Sequence, residues 1–305
     1  MKTMSISPSP RVPAAPRDPK ILFLHIPKTA GMSLNGLFIR NYRGNPHFNI
    51  EMPNITEENW QACLERIRNI PQEKLDRYHI FKGHMIYGLH EVIPGPVEYI
   101  TFLRDPVERL ISHYKMACRY KAYPPGHKID LSQRDWNLGQ YYPLAHALDN
   151  FQTRALSGMD FQIPFGACGE EHLRLAKEHM DHHFKFVGLT EQFDLSLMLM
   201  RHVCGWGWRY YVPDNVAPYN EIQVSPDVIE AMRKLNRFDL ELYRYAQERF
   251  NRMVDLYGWN LQAELQAYRL GNHLHQGLHL LRRTIKQKLK RKNPGSGKRV
   301  NAEPM

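Results

Sequence analysis

The sequence contains few cysteines and no long hydrophobic run. Its four cysteines, Cys63, Cys118, Cys168 and Cys204, are far apart and form no C-x-x-C pair. This spacing argues against a disulfide framework or a zinc knuckle and predicts reduced thiols in a cytoplasmic protein. No apolar run approaches the roughly 18 residues that a membrane-spanning helix needs. Residues 1–19 carry five prolines and no hydrophobic signal core, so they predict a disordered leader.

Acidic residues are scarce near the carboxyl terminus. The net charge is +10, but residues 282–299 hold nine lysines and arginines and no acid, which leaves residues 1–281 with a charge of about +2. This nearly neutral body predicts no specific nucleic-acid partner. Beside the basic run, apolar residues recur near helical spacing: Leu274, Leu278, Leu281, Ile285 and Leu289. Two interpretations of this tail stay open. It is an amphipathic helix on an anionic membrane, here the inner face, or on a polyanion, or it is a solvated, partly disordered end.

Hydrophobic and turn patterns predict one α/β domain. Apolar runs at 21–26, 78–81, 97–103 and 184–188 predict buried strands. Helices are predicted at 33–39, 54–70, 106–120, 140–157, 170–183, 191–204 and 225–257. The second of these is expected to start at Asn54 or Thr56, and a loop rich in tyrosine, proline and glycine is expected at 123–126. A first strand followed by a glycine-containing loop and a helix is typical of nucleotide-binding α/β folds. We therefore expect a leader over 1–19, a P-loop-like domain over 20–265 and a tail over 266–305. The domain should have a parallel sheet flanked by helices and a mostly helical C-terminal half.

A candidate phosphate-binding loop follows the first predicted strand. Residues 25–33 are His-Ile-Pro-Lys-Thr-Ala-Gly-Met-Ser. A loop between a strand and a helix directs backbone N–H groups and the positive helix end towards an anion. Lys28 adds a positive charge, and Thr29 and Ser33 add hydroxyl groups. These features predict a phosphate cradle, although the Walker A spacing G-x-x-x-x-G-K-[ST] is absent.

A second candidate phosphate site surrounds Arg104. This arginine follows the predicted strand at 97–103, and open α/β sheets bind ligands at such strand ends. The following Asp105-Pro106 pair is typical of a helix start. Ser112 lies about 9 Å along that helix at a rise of about 1.5 Å per residue, within reach of a long arginine side chain. One phosphate could therefore accept hydrogen bonds from Arg104 and Ser112 together.

A histidine between the two phosphate motifs is a candidate general base. His84 ends the sequence Lys82-Gly83-His84 after the short strand predicted at 78–81. Histidine titrates near neutral pH and can remove a proton from a hydroxyl group. The chain has sixteen histidines, so a single one is weak evidence by itself. His90 and His113 are alternative bases, whereas His25 in the first strand is more consistent with a supporting role.

Taken together, the two phosphate motifs resemble those of PAPS-dependent carbohydrate sulfotransferases, typified by the heparan sulfate 2-O- and 6-O-sulfotransferases. The resemblance covers most of residues 20–258, including 150–154, 186–191 and 235–243. It implies that the first loop binds the 5′-phosphosulfate side of PAPS through Lys28, Thr29, Ala30, Gly31, Met32 and Ser33. It also implies that Arg104 and Ser112 bind the 3′-phosphate. Met32 stands where the family usually has threonine, so only its backbone N–H would contribute.

The resemblance implies transfer of a sulfuryl group from PAPS to a hydroxyl group, on a carbohydrate or glycoconjugate. The 2-O-sulfotransferases have a catalytic histidine at the place of His84, which would take the acceptor proton while Lys28 stabilises the leaving 3′,5′-ADP. Lys82, Tyr87, Gln152 and Arg154 are candidates for acceptor contacts. No metal is expected, because the adjacent His182 and His183 are better explained as a solvated helix end.

Two other functions are compatible with parts of the sequence. A kinase-like phosphotransferase would use ATP and magnesium, but the missing Walker A spacing and the Arg104 and Ser112 pair argue against it. A non-catalytic protein would bind nucleotides or polyanions, with the tail as its working part. Replacement of His84 would change nothing measurable in such a protein. The family's eukaryotic members are anchored in the Golgi membrane, and the lack of an apolar anchor here predicts a cytoplasmic enzyme.

Overall fold

A five-stranded parallel sheet forms the centre of the protein. The structure, a computed structural model, describes residues 19–42, 46–51, 56–119, 148–159, 163–207, 210–212, 224 and 226–292. The strands are β1 (Lys20–Leu24), β2 (His47–Ile50), β3 (Ile80–Gly83), β4 (Val97–Leu103) and β5 (Phe184–Leu189), in the spatial order β2-β3-β1-β4-β5. Every strand pair is parallel, so the carboxyl ends of all five lie at one edge. This confirms the prediction of a parallel α/β sheet.

Helices flank the sheet and dominate the second half of the chain, as predicted. They are α1 (Gly31–Asn41), α2 (Glu57–Arg68), α3 (Gln72–Leu75), α4 (Pro106–Arg119), α5 (Phe151–Ser157), α6 (Glu170–His182), α7 (Phe193–Cys204), α8 (Pro226–Leu235) and α9 (Arg237–Lys292). Short 3-10 turns occupy Leu89–Val92 and Thr190–Gln192. Gly258 has φ 62° and ψ −151°, which interrupts α9. We call the segment after this break, residues 259–292, the terminal helix.

The central strands explain why four strands were recognisable from sequence. Leu22 and Leu24 of β1 and Ile100 and Phe102 of β4 are 0% exposed. Strands that are buried on both faces carry continuous hydrophobic runs, which is the pattern that sequence inspection detects. The edge strand β2 was missed, because its sequence His-Phe-Asn-Ile is half polar and only Ile50 is buried.

Helix α2 illustrates how local sequence sets an element's limits. The hydroxyl of Thr56 accepts a hydrogen bond from the Asn59 N–H at 3.3 Å, so Thr56 is the N-cap that the sequence allowed. The alternative start, Asn54, lies outside the described residues. Trp60, Leu64 and Ile67 recur at helical spacing and are buried against the sheet domain.

Some sequence predictions fall outside the described residues. These are the leader over 1–18, the loop at 123–126 and most of the helix predicted at 140–157, of which α5 is the described part. The long helix predicted at 225–257 is divided between α8 and α9, and α9 continues to residue 292. Residues 266–292 of the predicted tail are therefore helical, while the domain limit at residue 265 stays a prediction.

Gly188 on β5 tests how closely the central strands pack. A Cβ atom at this position would come within 2.6 Å of the ring of Phe102, which is completely buried. We expect Gly188→Ala to lower the free energy of unfolding by about 1–3 kcal/mol, because an overpacked core must shift. Urea denaturation measures the change.

Gly277 provides the matched control for this substitution. It lies in the terminal helix, and a Cβ atom there would have no neighbour within 4 Å. Gly277→Ala should leave stability unchanged or raise it by about 0.5–1 kcal/mol. An equal loss of stability in both variants would contradict the packing argument.

Candidate active site

Four neighbouring strands deliver polar residues to one edge of the sheet. The loop 25–30 follows β1, His84 follows β3, Arg104 follows β4, and Glu191 lies just beyond β5. Nη1 of Arg104 donates a hydrogen bond to the backbone oxygen of Lys28 at 3.3 Å. This contact joins two segments that are 76 residues apart. The two candidate phosphate motifs of the sequence therefore lie next to each other.

The loop after β1 has an unusual backbone. Lys28 and Ala30 adopt φ angles of 73° and 62°, in the left-handed region that side-chain-bearing residues rarely enter. Such strain costs about 1–3 kcal/mol per residue and clusters at ligand clamps. Within the described chain, no side chain caps the N-terminus of α1. The first turn of α1 therefore presents backbone N–H groups and a positive dipole end that suit an anion.

The side chains of this loop divide into internal and outward-facing groups. Thr29 is 0% exposed, and its hydroxyl donates to the oxygen of Ile26 at 2.7 Å. This bond stabilises the loop from within. It corrects the expectation that the Thr29 hydroxyl would face a phosphate. Met32 is 58% exposed and Ser33 is partly exposed in the first turn of α1, so both lie at the surface of the cradle.

Two stacked histidines lie beside the loop. The rings of His25 and His84 stack with centroids 4.4 Å apart, and the ring of Phe23 stacks on the other side of His25 at 5.5 Å. A Cβ atom on Gly31 would lie 1.7 Å from Nε2 of His25, so only glycine leaves room for this ring. Nδ1 of His84 donates to the backbone oxygen of His25 at 3.1 Å. This bond places the proton on Nδ1 and makes Nε2 the proton-accepting nitrogen.

Burial disfavours the protonated form of both histidines. The pKa of His25 lies well below its usual value, first because of burial and then because of its neighbours His84, Lys28 and Lys82. Burial also lowers the pKa of His84, and its hydrogen bond to His25 partly opposes this shift. Lys82 donates to the side-chain oxygen of Asn35, and burial lowers its pKa. The lowered pKa of His84 favours the neutral, proton-accepting form of its ring.

Gln152 holds the backbone of Arg104 in place. Its Oε1 accepts from the N–H of Arg104 at 3.0 Å, and its Nε2 donates to the oxygen of Arg104 at 2.9 Å. The Gln152 side chain is 0% exposed. The expectation that Gln152 contacts the acceptor is therefore wrong, because its amide is committed to positioning Arg104. The guanidinium itself lies 3.5 Å from Glu108 and 3.7 Å from Glu191.

The helix that carries Gln152 is anchored to the start of α9. Buried Asp239 accepts from the N–H groups of Gln152 at 3.1 Å and Thr153 at 2.7 Å, and from the Thr153 hydroxyl at 2.8 Å. In return, Oδ1 of Asn150 accepts from the N–H groups of Phe238 at 2.9 Å and Asp239 at 3.0 Å. Asp239, near the start of α9, thus caps the start of α5, and Asn150, at the start of α5, caps the start of α9.

Glu191 joins the end of β5 to the same support. Its carboxylate accepts from the N–H of Asp105 at 3.1 Å and from the hydroxyl of Tyr243 on α9. The neighbouring Thr190 hydroxyl donates to the oxygen of Leu103 at 3.0 Å. Sequence reasoning noted the segments that contain these residues but missed their roles, because the partners come together only in the fold.

Arg154 has a structural role. Its side chain is 0% exposed and forms an ion pair with Asp149, which is itself 1% exposed. Its guanidinium also donates to the backbone oxygens of Ile163 and Pro164. The expectation that Arg154 contacts the acceptor is therefore wrong, because no surface of this side chain reaches solvent.

The alternative bases lie in other surroundings. Nδ1 of His90 contacts the Tyr99 hydroxyl at 3.1 Å, within a separate cluster of aromatic rings. His113 is 2% exposed on α4, and burial together with the charges of Arg109 and Lys28 lowers its pKa to about 3. The ring of His113 is therefore neutral, but it is enclosed by the protein and does not reach the surface. Of the three candidate bases, His84 is the one stacked beside the loop.

The remaining predicted residues are partly exposed. Ser112 is partly exposed on α4, the helix that begins just after Arg104. The ring of Tyr87 stacks on His179 with centroids 3.7 Å apart and faces Tyr99, which places it in the aromatic cluster that includes His90. Within the described ranges, no group of three or more histidine, cysteine or acidic residues could hold a metal ion.

Replacement of Arg154 tests its structural role. We expect Arg154→Leu to lower the free energy of unfolding by about 3–5 kcal/mol, because Asp149 would remain buried without its partner. Arg174→Leu is the matched control, since Arg174 is 53% exposed and pairs with surface glutamates. Its effect should stay below about 1 kcal/mol. Chemical denaturation measures both, and similar values for the two variants would refute the assignment.

Comparison with known proteins agrees with this geometry. The galactose-3-O-sulfotransferase family profile matches residues 2–290. Galactose-3-O-sulfotransferase 2 from Sus scrofa is 28% identical over 212 residues, which cover 66% of this chain and 50% of that protein. Its Homo sapiens counterpart is 24% identical over 264 residues, covering 82% and 63%. Heparan-sulfate 6-O-sulfotransferase 1 from Homo sapiens is 24% identical over 308 residues, covering 86% and 72%.

This chain thus spans 50% and 63% of the length of the two galactose-3-O-sulfotransferases that it matches. The family profile, in contrast, covers nearly all of the chain. The matched range contains both candidate phosphate motifs. The protein therefore belongs to the galactose-3-O-sulfotransferase family.

Proposed function

We propose that this protein transfers a sulfuryl group from PAPS to a hydroxyl group of a carbohydrate or glycoconjugate. The observation that carries the proposal is the contact between Arg104 and the backbone of Lys28, which unites two anion-binding motifs at the edge of a parallel sheet. A donor with two separate phosphate groups requires such a double site. Membership of a sulfotransferase family supports the same reaction.

The residues present suit PAPS. The α1 N-terminus and Lys28 would receive the 5′-phosphosulfate, since backbone N–H groups and a lysine are typical phosphate ligands. Arg104 and Ser112 would receive the 3′-phosphate. The ion pairs of Arg104 with Glu108 and Glu191 are long, at 3.5 Å and 3.7 Å. A phosphate could therefore replace them with shorter, charge-assisted bonds.

The reaction would be an in-line displacement at sulfur. Nε2 of His84 takes the proton of the acceptor hydroxyl, whose oxygen forms a new bond to sulfur. The bond between sulfur and the 5′-phosphate oxygen breaks, and its electron pair stays with 3′,5′-ADP. Lys28 and the loop N–H groups stabilise the charge that develops on this leaving group. The chemistry needs no metal ion.

The acceptor is proposed only as a class. Two of the relatives are named for position 3 of galactose and one for position 6 of heparan sulfate, so the names support a sugar hydroxyl but differ in the position. Lys82 lies close enough to His25 for its charge to affect the pKa of that histidine. It remains the candidate for an acceptor contact nearest to the proposed base.

The nucleotide site can be tested by calorimetry. We expect 3′,5′-ADP to bind without metal and much more tightly than 5′-AMP, which lacks the 3′-phosphate. Arg104→Ala should weaken 3′,5′-ADP binding by about 10–100-fold, because it removes charge-assisted hydrogen bonds. The same change should have little effect on 5′-AMP.

Arg174→Ala, which replaces an exposed arginine on α6, is the matched control and should leave nucleotide binding unchanged. Equal affinity for 3′,5′-ADP and 5′-AMP would overturn the proposal. A requirement for magnesium and ATP would instead favour a kinase-like phosphotransferase.

The role of His84 can be tested by transfer of labelled sulfate from PAPS to a panel of galactose-terminated and heparan oligosaccharides. His84→Ala should reduce kcat by about 100-fold or more, as expected for loss of a general base. Binding of 3′,5′-ADP should change by less than about threefold, because indirect effects on an independent site are on the order of 0.5 kcal/mol. Unchanged kcat in this variant would exclude His84 as the base.

The pH profile adds an independent readout. A base works only when it is unprotonated, and burial lowers the pKa of His84 below the usual histidine value. The rate should therefore rise with pH and reach its plateau at a lower pH than an ordinary histidine would allow. A plateau reached only well above neutral pH would contradict this assignment.

A further inference from the structure

The terminal helix uses one apolar face to pack on the protein body. Leu261, Leu265 and Tyr268 are at most 3% exposed and belong to the hydrophobic core. A Cβ atom on Gly271 would lie 2.2 Å from the Tyr210 hydroxyl, which shows how closely the helix approaches the body. The buried face therefore fixes the orientation of the helix about its axis.

A second apolar face of the same helix points away from the body. Six large side chains on it are 48–79% exposed: Trp259, Leu270, Leu274, Leu278, Leu281 and Ile285. With 3.6 residues per turn, they fall within an arc of about 100° on the side opposite Leu261 and Tyr268. We call these six residues the outer stripe. It extends for about 40 Å along the helix at a rise of about 1.5 Å per residue.

An outer stripe of this length requires a partner, because soluble monomers rarely expose continuous apolar surface on this scale. The charge of the segment indicates which kind. No acidic residue occurs between Glu264 and Glu303, and nine lysines and arginines occur in 282–299. The helix therefore combines an apolar stripe with a strongly basic carboxyl end.

Charge complementarity discriminates among the possible partners. A polyanion would pair with the basic residues but would leave the outer stripe in water. A second copy of the chain would cover the stripe but would offer no acidic residues from its own segment between Glu264 and Glu303 to the basic residues. An anionic lipid surface receives both features, since leucines enter the acyl boundary and cations meet the headgroups. Trp259 suits this boundary as well, because its ring is amphipathic.

We propose that the outer stripe and its basic end bind an anionic membrane surface, with the helix lying in the plane of the interface. Among the helices that the structure describes, none is long and apolar enough to cross a membrane. The buried face of the helix would stay packed on the body, with Tyr268 against Tyr210. Membrane binding of the helix would therefore hold the sheet domain next to the lipid surface. This proposal is independent of the sulfotransferase reaction.

Vesicle co-sedimentation of the full-length protein tests the proposal. One set of vesicles contains phosphatidylcholine alone, and the other contains phosphatidylcholine mixed with phosphatidylglycerol. We expect strong binding to the mixed vesicles only. Binding should weaken at high salt, because exposed charges are then screened.

Two adjacent leucines provide a matched pair of variants. Leu280 and Leu281 are 59% and 56% exposed, but Leu280 lies about 100° away around the helix and outside the outer stripe. Leu281→Ser should weaken partitioning into the mixed vesicles about tenfold, whereas Leu280→Ser should change it less than twofold, because only Leu281 leaves water on binding. Circular dichroism and thermal unfolding confirm that both variants are folded.

Three results would overturn the proposal. One is an equal effect of Leu280→Ser and Leu281→Ser on vesicle binding. Another is binding to dextran sulfate, unaffected by Leu281→Ser, without binding to vesicles, which would identify a polyanion as the partner. The third is a dimer in analytical ultracentrifugation that Leu281→Ser dissociates, again without vesicle binding, which would identify a second copy of the chain.

Discussion

The double hydrogen bond between Gln152 and the backbone of Arg104 is the constraint on which the site depends. These two bonds fix the backbone of Arg104, the first residue beyond β4, and so limit the positions that its long side chain can reach. Leaving both backbone groups unpaired would cost about 1–3 kcal/mol each. Gln152 can hold the backbone of Arg104 because its own N–H, in the first turn of α5, donates a hydrogen bond to Asp239 near the start of α9. A surface arginine is thus positioned by a buried polar network that reaches the last long helix.

The site concentrates cations and yet contains a neutral base. Lys28 and Arg104 would supply positive charge for the proposed anionic donor, and the charge of Lys28 also disfavours protonation of His25. Burial acts in the same direction, because it removes the water that would stabilise an imidazolium. Anion binding and proton acceptance therefore arise from one arrangement. The stack of His25 and His84 persists because Gly31 leaves room for the inner ring.

The terminal helix carries a second positively charged region, in addition to the lysine and arginine of the candidate site. Residues 1–281 are nearly neutral, so attraction of the proposed donor nucleotide would rely on local groups and not on net charge. Seven of the nine basic residues lie in the last part of this helix, which packs on the body through its buried face. One helix can therefore connect the catalytic domain to a charged surface, with opposite faces serving the two contacts.

The sequence by itself determined the buried strands, the loop after β1, the helix start at Asp105 and the sulfotransferase resemblance. All of these depend on local patterns: Asp105, for example, accepts from the N–H of Val107 at 2.9 Å. Tertiary structure alone decided the polar partners. Gln152 and Arg154 look like acceptor ligands in the sequence, but burial and partners distant in sequence give them structural roles. Which face of the terminal helix is covered was likewise set by packing, since the sequence carries apolar residues on both.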